Sequence, residues 1–363
     1  MPFGGSGAAN NPNNGYVVPQ PPDDTVSRLR FSPASTGDIY LIASSWNGSV
    51  RCWKVNPNQG LAVAVSMTEQ GAPVLDCAWA ADGSTVYCGG ASKIVNSWDL
   101  ATGATTIVAA HDEPVTQVCD VEEKKLLATT SWDKTLRYWD VRAPTGSPVG
   151  SVPLADRAYA MDVKEPTVVV GLADRKLVVF DVRKPATPFK EKYTLHKYQT
   201  RCVSIWPDRM GYLVGSVDGR VSVDYVQELE PGASTSFSCH RDKANRVGYA
   251  IHAIRFHKPS GMFATAASDG RFSFWDKDRK ERARTRRFEK MNGPVTDIDF
   301  AADGKTYAYA VGYDWTKGAS GNVTSPDQTY IILDRLGDGE LDSKPSGGRG
   351  RGRGRRRGGG SRR

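Results

Sequence analysis

A motif that recurs along the chain limits its fold more than any other feature of the sequence. In WDKTLRYWDV, Asp133 lies six residues before Trp139, and the same spacing of a polar before an aromatic residue occurs elsewhere. Two copies are weaker, because the second has Ser92 in place of the acid and the fifth has Asp224 in place of the aromatic residue. The six copies end at positions 53, 98, 139, 180, 224 and 275, a spacing of 41 to 51 residues. Repeats of this length indicate one supersecondary unit per copy.

The repeat unit carries the signals of antiparallel strands. Apolar and polar residues alternate in segments such as PVTDIDF (294–300), which predicts a half-buried strand. Asp-Gly, Asn-Gly and Asp-Lys pairs occur where a tight turn must join two strands, since Gly and Asn accept a positive φ. A unit of roughly 40–45 residues that ends in Trp-Asp is typical of a four-stranded propeller blade. The sequence therefore predicts an all-β fold, a seven-bladed WD-repeat β-propeller.

The seventh blade, residues 294 to about 334, lacks one strand in the sequence pattern. The short apolar segment YVVPQ (16–20) is predicted to supply it, so that an N-terminal strand closes the ring and leaves no exposed sheet edge. We therefore predict three regions: a flexible N-terminal tail at 1–15, the propeller at 16–336, and a disordered linker with an Arg/Gly-rich tail at 337–363.

Charge is distributed unevenly along the chain. The net charge is +8, but residues 344–363 hold nine basic residues and no acid. Residues 1–343 therefore carry 39 basic and 40 acidic groups. The basic character belongs to the tail, in which glycine and like charges oppose folding.

The third repeat contains a set of polar residues that is typical of a structural hydrogen-bond network. His111 precedes its first strand, and Ser131, Asp133 and Trp139 follow in order. Buried polar side chains need hydrogen-bond partners. We therefore predict that these four residues form a buried chain of hydrogen bonds and that Asp133 and Trp139 are structural.

The sequence offers little support for catalysis. No histidine, cysteine or glycine spacing matches a metal site, a phosphate-binding loop or a nucleophile motif, so we predict no enzymatic activity and no cofactor. The six cysteines are scattered along the chain, which indicates that they are small buried apolar side chains of a protein in a reducing compartment. Because neither a signal peptide nor an apolar run of 18 residues occurs, we expect a soluble intracellular protein without membrane insertion.

The amino-acid sequences of the repeats also resemble those of a known family. ASSWNGSVRCWKV, HDEPV, VDGRVSVDY, SCHR, SDGRFSFWDKD and YAVGYDWTKG together resemble the messenger-RNA export factor family of WD-repeat nucleoporins, from about Asp23 to Leu333. KYQTRCV and QPPDD are also similar to the related WD-repeat mitotic checkpoint protein that binds Bub kinases. SDGRFSFWDKD and YDWTKG favour the export factor.

This resemblance implies a function and a partner. The chain would act in mRNA export at the nuclear pore complex of the nuclear envelope, and shuttling to the cytoplasm stays open. Its partner would be the GLEBS segment of the GLFG-repeat nucleoporin, which the protein would meet as a monomer to form a heterodimer. Arg201 and Arg220 match family positions that meet the glutamates of this peptide. Trp46 and Trp132 precede the tight turns of blades one and three, and we predict that Trp46, Arg201 and Arg220 anchor the peptide with Trp132, Lys134 and Arg157 beside them. The alternative is that all six are ordinary surface residues.

Two basic segments are candidate RNA contacts, because arginine pairs with phosphate and stacks on bases. In the segment 277–290, alternation would place Arg282, Arg284 and Arg286 on one face of a strand, next to Arg287. This segment could equally be a charged outer edge that prevents sheet pairing. The tail, an alternative localisation signal or methylation substrate, contributes Arg349, Arg351, Arg353, Arg355, Arg356 and Arg357.

Three further functions stay open at this point. The first is a spindle-checkpoint adaptor that binds GLEBS-like segments of checkpoint kinases on the same face, with checkpoint or spindle proteins as partners. The second is a propeller enzyme, because such enzymes exist without short motifs. The third is an RNA-binding scaffold in which the arginine tail dominates.

Overall fold

The fold is built from seven four-stranded antiparallel sheets and one small hairpin. A computed structural model describes residues 11–142, 147–227, 230, 232–277, 284–322, 328–337 and 341. Each sheet is one propeller blade, and in blades one to six its four strands follow one another in the chain. The predicted seven-bladed propeller is therefore confirmed.

The chain begins with β1 (Tyr16–Val17) and then forms blades one to four. Their strands are β2 (Val26–Phe31), β3 (Ile39–Ser45), β4 (Ser49–Asn56) and β5 (Leu61–Glu69); β6 (Val74–Trp79), β7 (Thr85–Gly90), β8 (Ile94–Asp99) and β9 (Thr105–Ala110); β10 (Val115–Val121), β11 (Leu126–Ser131), β12 (Thr135–Trp139) and β13 (Gly150–Pro153); and β14 (Ala158–Lys164), β15 (Thr167–Leu172), β16 (Lys176–Asp181) and β17 (Lys190–Tyr193).

Blades five to seven follow, with the small hairpin β22–β23 between blades five and six. Their strands are β18 (Thr200–Ile205), β19 (Gly211–Ser216), β20 (Arg220–Tyr225) and β21 (Thr235–Ser238); β22 (Arg241–Asp242) and β23 (Val247–Gly248); β24 (Ile251–Phe256), β25 (Phe263–Ala267), β26 (Phe272–Trp275) and β27 (Arg284–Arg287); and β28 (Val295–Phe300), β29 (Thr306–Val311) and β30 (Tyr330–Arg335). Single-turn 3-10 helices lie at Ala34–Thr36, Glu122–Lys124 and Ala319–Gly321.

The N-terminal strand closes the ring as predicted. β1 pairs antiparallel with β30, so that Tyr16 lies opposite Leu333 and Val17 opposite Ile332. Beyond the strand, the Val18 amide donates to the Ile331 carbonyl at 2.9 Å. The start and the end of the propeller thus share blade seven, where β1 is the outer strand and covers the edge of β30.

The core is divided among the interfaces between neighbouring blades. Within the described residues, each of seven apolar clusters joins two adjacent blades, and none spans the whole ring. Trp53, for example, packs in the cluster between blades one and seven, and Trp98 in the cluster between blades one and two. Both side chains are fully buried.

The innermost strands of the blades form a ring around the channel, and each has the same irregularity. The pairing of each inner strand with its neighbour skips the second residue of the inner strand. These skipped residues are Ser27, Leu75, Thr116, Tyr159, Arg201, His252 and Thr296. Because Val26 at the start of β2 pairs with Ser45 at the end of β3, inner strands begin beside the turn between the second and third strands. We call the side that carries these strand starts and turns the upper face.

Acidic side chains join adjacent inner strands below that face. Asp76 accepts the Val118 amide at 2.9 Å, and Asp297 accepts the Leu29 amide at 2.8 Å. Arg28 Nε lies 2.6 Å from Asp76, so the carboxylate is also neutralised by charge. Removal of one partner would leave a buried charge unpaired, which costs about 3–5 kcal/mol.

The ends of the described chain contact the propeller more closely than the sequence suggested. Asn13, predicted to lie in a flexible tail, accepts the Glu289 amide at 3.0 Å. Leu341, predicted to lie in a disordered linker, is 6% exposed and packs in the cluster between blades six and seven. Residues 1–10 and 342–363 lie outside the described residues, and the three predicted regions stay predictions.

Candidate partner-binding face

Blade three contains a continuous chain of hydrogen bonds. Trp139 Nε1 donates to Thr129 Oγ1 at 2.8 Å, and the same hydroxyl lies 2.7 Å from His111 Nε2. His111 Nδ1 lies 2.8 Å from Asp133 Oδ2. We call this arrangement of histidine, hydroxyl, acid and tryptophan the relay. It ties the loop before blade three to the tryptophan in its third strand.

The relay corrects one sequence prediction. Its hydroxyl belongs to Thr129 and not to Ser131. Ser131 Oγ donates to the Glu113 carbonyl at 2.9 Å and accepts the Asp133 amide at 3.0 Å, so it shapes the turn instead. Thr129 lies on the same side of β11 as Leu127, which pairs with Trp139, and this two-residue offset brings its hydroxyl to the indole.

Blade six has a second relay that the sequence analysis missed. His240 Nδ1 lies 3.0 Å from Asp269, and its Nε2 lies 2.8 Å from Thr265 Oγ1. Trp275 Nε1 donates to the same threonine at 2.8 Å. The threonine precedes the tryptophan by ten residues in both blades, and this spacing was the available signal.

All six residues implied to contact a partner lie on the upper face. Trp46, Trp132 and Lys134 are in the turns that follow β3 and β11. Arg157 directly precedes the inner strand β14, and Arg201 is the second residue of the inner strand β18. The sixth, at the start of the third strand of blade five, is Arg220.

Blades three and four bring three of the six together. Asp156 accepts the Arg157 amide at 2.9 Å and lies 3.5 Å from Lys134 Nζ. The Arg157 guanidinium lies 5.7 Å from the centre of the Tyr159 ring. Trp132 is 41% exposed, which is unusual for a large aromatic side chain. Exposed aromatic and cationic groups thus lie side by side.

The turn geometry of blades two to four favours exposed cations. Lys93, Lys134 and Arg175 have φ angles of 68°, 64° and 72°, a left-handed conformation that glycine adopts in most other blades. This conformation costs a residue with a side chain about 1 kcal/mol or more. Three neighbouring blades accept this strain and present a long cationic side chain on the upper face.

An aromatic group links blade one to the long loop of blade seven. The ring centres of Trp46 and Trp315 are 4.6 Å apart, and those of Tyr313 and Trp315 are 5.7 Å apart. Thr25 positions Trp46 and Tyr313, because its carbonyl accepts a hydrogen bond from the Trp46 amide at 3.0 Å and its hydroxyl donates to the Tyr313 carbonyl at 2.8 Å. Sequence analysis singled out Trp46 but not Trp315, which lies within the quoted motif YDWTKG.

Asp314, next to this aromatic group, is held from blade six. His252 Nε2 lies 2.9 Å from Ser268 Oγ and 3.6 Å from Asp314 Oδ2. Burial alone would raise the pKa of Asp314, but hydrogen bonds from His252, Ser268 and Thr316 hold it well below its usual range. Burial also lowers the pKa of His252. The loop that carries Trp315 is thereby anchored at its base.

Blade five holds the other two predicted cations. Arg201 is exposed at the channel mouth. Arg220 is 40% exposed, and its Nε lies 3.6 Å from Asp218 Oδ2. The same carboxylate oxygen lies 3.0 Å from Arg241 Nη1, so a cation that the sequence analysis did not select joins the site.

Comparison with known proteins decides the family. The WD domain, G-beta repeat family matches residues 15–54, 64–99 and 104–140. Protein Rae1 of Drosophila melanogaster is 41% identical over 326 residues, which cover 87% of this chain and 92% of the fly protein. Protein RAE1 of Arabidopsis thaliana is 42% identical over 347 residues, or 94% and 97% of the two chains. The chain belongs to the Rae1/Gle2 family of mRNA export factors.

Other matches agree with this assignment. The Poly(A)+ RNA export protein of Schizosaccharomyces pombe is 38% identical over 338 residues, which cover 92% of this chain and 93% of the yeast protein. The solved structure of U3-55K superposes with a TM-score of 0.72 over 92% of this chain and 100% of its own. At 16% identity, that structure supports the propeller fold alone.

The basic segment of this Rae1/Gle2 family member is only partly described. Arg282 and Arg349, Arg351, Arg353, Arg355, Arg356 and Arg357 lie outside the described residues. Arg284 and Arg286 lie in β27, the outer strand of blade six, where the sequence placed them. The pairing register shifts by one residue between them, and the side chain of Arg284 lies outside the described part of the chain. Arg287 is exposed, as is Arg286, whose guanidinium lies 4.2 Å from the Phe288 ring centre.

Other kinds of site find little support in the described residues. Within the described residues, no group of three or more His, Cys, Asp or Glu side chains could hold a metal ion. Five of the six cysteines are buried, and burial raises the pKa of Cys52 and of Cys202 to about 12. No helix in the described part of the chain is both long and apolar enough to span a membrane.

Proposed function

We propose that the chain is a non-enzymatic binding scaffold for mRNA export at the nuclear pore, in the nucleus and at the nuclear envelope. On its upper face it docks the GLEBS segment of the GLFG-repeat nucleoporin. One observation carries the proposal: Trp46, Trp132, Lys134, Arg157, Arg201 and Arg220 come from four blades and share one face. The names of the relatives, Poly(A)+ RNA export protein and mRNA export factor, support the pathway.

The chemistry of this face suits an extended, glutamate-bearing peptide. Arginine binds carboxylates through paired hydrogen bonds, and Arg201 and Arg220 supply two guanidiniums in one blade. Exposed tryptophans provide large contact area at a low cost in side-chain entropy. Trp132 in blade three is exposed, and the half-buried pair of Trp46 and Trp315 between blades one and seven offers a second aromatic contact on the same face.

Binding of a synthetic GLEBS peptide, measured by calorimetry, tests this function. Arg220→Glu is expected to weaken binding at least about tenfold, because it places a like charge opposite the peptide glutamate. Arg183→Glu is the matched control, since Arg183 is 67% exposed and pairs with Asp181 at the end of β16, on the lower face. Equal affinity of the wild type and Arg220→Glu would contradict the site. Stronger binding of a GLEBS-like kinase segment would favour the spindle-checkpoint alternative.

The RNA contact belongs to the same proposal. The arginines of the tail and of β27 would pair with phosphates, which predicts binding that is sequence-tolerant and weakened by salt. Removal of residues 342–363 is expected to abolish most RNA binding in a filter assay at low salt and to lower its salt dependence. If the shortened chain binds no RNA at all, the β27 arginines act only as an edge that prevents sheet pairing. Unchanged RNA binding would exclude the tail.

A further inference from the structure

Blade five has the positions of a relay but not its bonds. His196 lies four residues before β18, as His111 lies four residues before β10. Val214 and Asp224 occupy the places of Thr129 and Trp139, as the pairing of β19 with β20 shows. Asp218 is the counterpart of Asp133, six residues before the end of the motif. The histidine and the acid are thus present, whereas the hydroxyl and the tryptophan are replaced.

The histidine and the acid do not meet in blade five. His196 is 3% exposed, and its Nε2 lies 3.1 Å from the Val214 carbonyl oxygen. Its Nδ1 and the Oδ1 atom of Asp218 are both buried and find no hydrogen-bond partner among the described residues. In blades three and six, the corresponding bonds between Nδ1 and carboxylate measure 2.8 and 3.0 Å.

The replaced hydroxyl explains the missing bond. In blade three, Trp139 donates to Thr129, so the threonine hydroxyl is free to donate to His111 Nε2 and the Nδ1 proton faces Asp133. A carbonyl can only accept, so in blade five the proton must sit on His196 Nε2. Burial lowers the pKa of His196 and keeps the ring neutral, which leaves Nδ1 with a lone pair. A lone pair cannot donate to Asp218.

Asp218 instead forms ion pairs with two arginines. Its Oδ2 atom lies 3.0 Å from Arg241 Nη1 and 3.6 Å from Arg220 Nε, on the upper face. These arginines alone do not explain the lost histidine bond, because Asp133 Oδ2 lies 3.2 Å from Arg137 Nη2 and still bonds His111. The position of the histidine proton is therefore the deciding difference between the two blades.

Close backbone packing holds Arg241 over this carboxylate. The hairpin β22–β23 lies directly on the turn that contains Asp218, and two glycines permit the approach. A Cβ atom at Gly219 would lie 2.0 Å from the His240 carbonyl oxygen, and one at Gly248 would lie 2.4 Å from the Asp218 carbonyl oxygen. Arg241 Nη1 also donates to that Asp218 carbonyl at 3.1 Å. The hairpin is thus built to bring a second guanidinium beside Arg220.

We propose that Asp218 competes with a carboxylate of the partner for Arg220 and Arg241. Val214 sets this role because it fixes the tautomer of His196. The inference rests on the proposed function, because the carboxylate is taken to be a glutamate of the docked peptide. With one acid facing two guanidiniums, the site keeps one net positive charge and unused N–H donors on both side chains. An incoming glutamate must share the two guanidiniums with Asp218 or displace it, which lowers affinity and favours a peptide that presents a full negative charge over a neutral one.

Peptide binding tests the competition directly. Asp218→Asn is expected to bind the GLEBS peptide about fivefold more tightly and to bind a version with its glutamates changed to glutamine as the wild type does. Val214→Thr is expected to act in the same direction, about twofold, because its hydroxyl can donate to His196 Nε2 and return the Nδ1 proton to Asp218. The matched control is Val169→Thr, a fully buried valine of the same apolar cluster as Val214. Weaker or unchanged binding by Asp218→Asn would overturn the inference.

A measurement without the nucleoporin separates this inference from the proposed function. Long-range nitrogen–proton NMR on ¹⁵N-histidine-labelled protein reports the tautomer of each of the five histidines, and His196→Asn assigns the signal. The wild type is expected to show His196 protonated at Nε2, and Val214→Thr at Nδ1. A wild-type Nδ1 tautomer would refute the inference even if the GLEBS peptide binds. If the peptide does not bind at all, only the proposed function fails, and tighter binding of a hexaglutamate peptide by Asp218→Asn still tests the competition.

Discussion

Blades three and five start from the same histidine and the same acid and use them for different purposes. In blade three, His111 and Asp133 are joined at 2.8 Å and complete a buried relay that ends on Trp139. In blade five, the acid instead faces Arg220 and Arg241 on the upper face. One blade therefore uses its acid for stability, and the other leaves it at the proposed binding site.

The difference shows how one hydroxyl controls groups that it never touches. Thr129 sets the direction of every proton in its relay, whereas Val214 leaves that direction to a backbone carbonyl. Blade five also lacks the tryptophan, and its replacement, Asp224, is fully buried. Lys192 of blade four contacts this carboxylate, so an ion pair between blades takes the place of the relay.

Breaking the relay of blade three is expected to have the largest effect. Thr129→Val copies blade five and leaves the buried Trp139 Nε1 and His111 Nε2 without their partner. Because each unsatisfied group costs about 1–3 kcal/mol, we expect the free energy of unfolding to fall by about 2–4 kcal/mol in urea titrations followed by circular dichroism. Thr129→Ser keeps the hydroxyl and is the control. A Thr129→Val variant as stable as the wild type would show that the relay does not stabilise the blade.

Asp133 and Asp218 are expected to contribute differently to the pH dependence of the unfolding free energy. Burial alone would raise the pKa of Asp133, but hydrogen bonds from Thr135 and His111 lower it below the ordinary value. A lowered pKa stabilises the fold above the unfolded pKa of about 3.9, and this gain is lost as the pH falls through the folded value. Asp133→Asn should therefore cost about 1–2 kcal/mol of unfolding free energy at pH 7 and progressively less below pH 4.

Asp218→Asn supplies the comparison for that experiment. Its partners are arginines that are 40% and 29% exposed, and ion pairs of this kind contribute roughly 0–1 kcal/mol. We expect a loss below about 0.5 kcal/mol at pH 7 in the same urea titrations. If both variants lose the same stability at every pH, the two acids have the same role and the contrast between the blades is wrong.

The fold could be predicted from the sequence because its signals repeat. Strand alternation, turn residues and the aromatic end of each unit recur in the copies, so that weak copies such as the one ending at Trp98 are supported by their neighbours. Closure by residues 16–20 followed from counting strands. Buried Leu341 could not be predicted, because a single apolar residue in a charged, glycine-rich segment has no period to indicate its burial.

The candidate site was harder to predict, because it depends on contacts between blades. Trp46 and Trp315 are distant in the chain and meet only because blade seven closes the ring beside blade one. Arg241 joins Arg220 through a hairpin that no repeat signal marks. The choice of Ser131 over Thr129 also shows that composition alone does not decide which of several nearby hydroxyls reaches the histidine.

The smallest expected effect comes from restoring a relay bond in blade five. A hydroxyl placed in an apolar cluster without a partner costs about 1–3 kcal/mol, which is the expectation for Val169→Thr. In Val214→Thr the hydroxyl can donate to His196 Nε2, the histidine can then donate to Asp218, and two unsatisfied atoms gain partners. We therefore expect its unfolding free energy to stay within about 0.5 kcal/mol of the wild type in urea titrations. Equal losses in the two threonine variants would mean that His196 does not accept the new hydroxyl, and the tautomer would then not be what separates blade five from blade three.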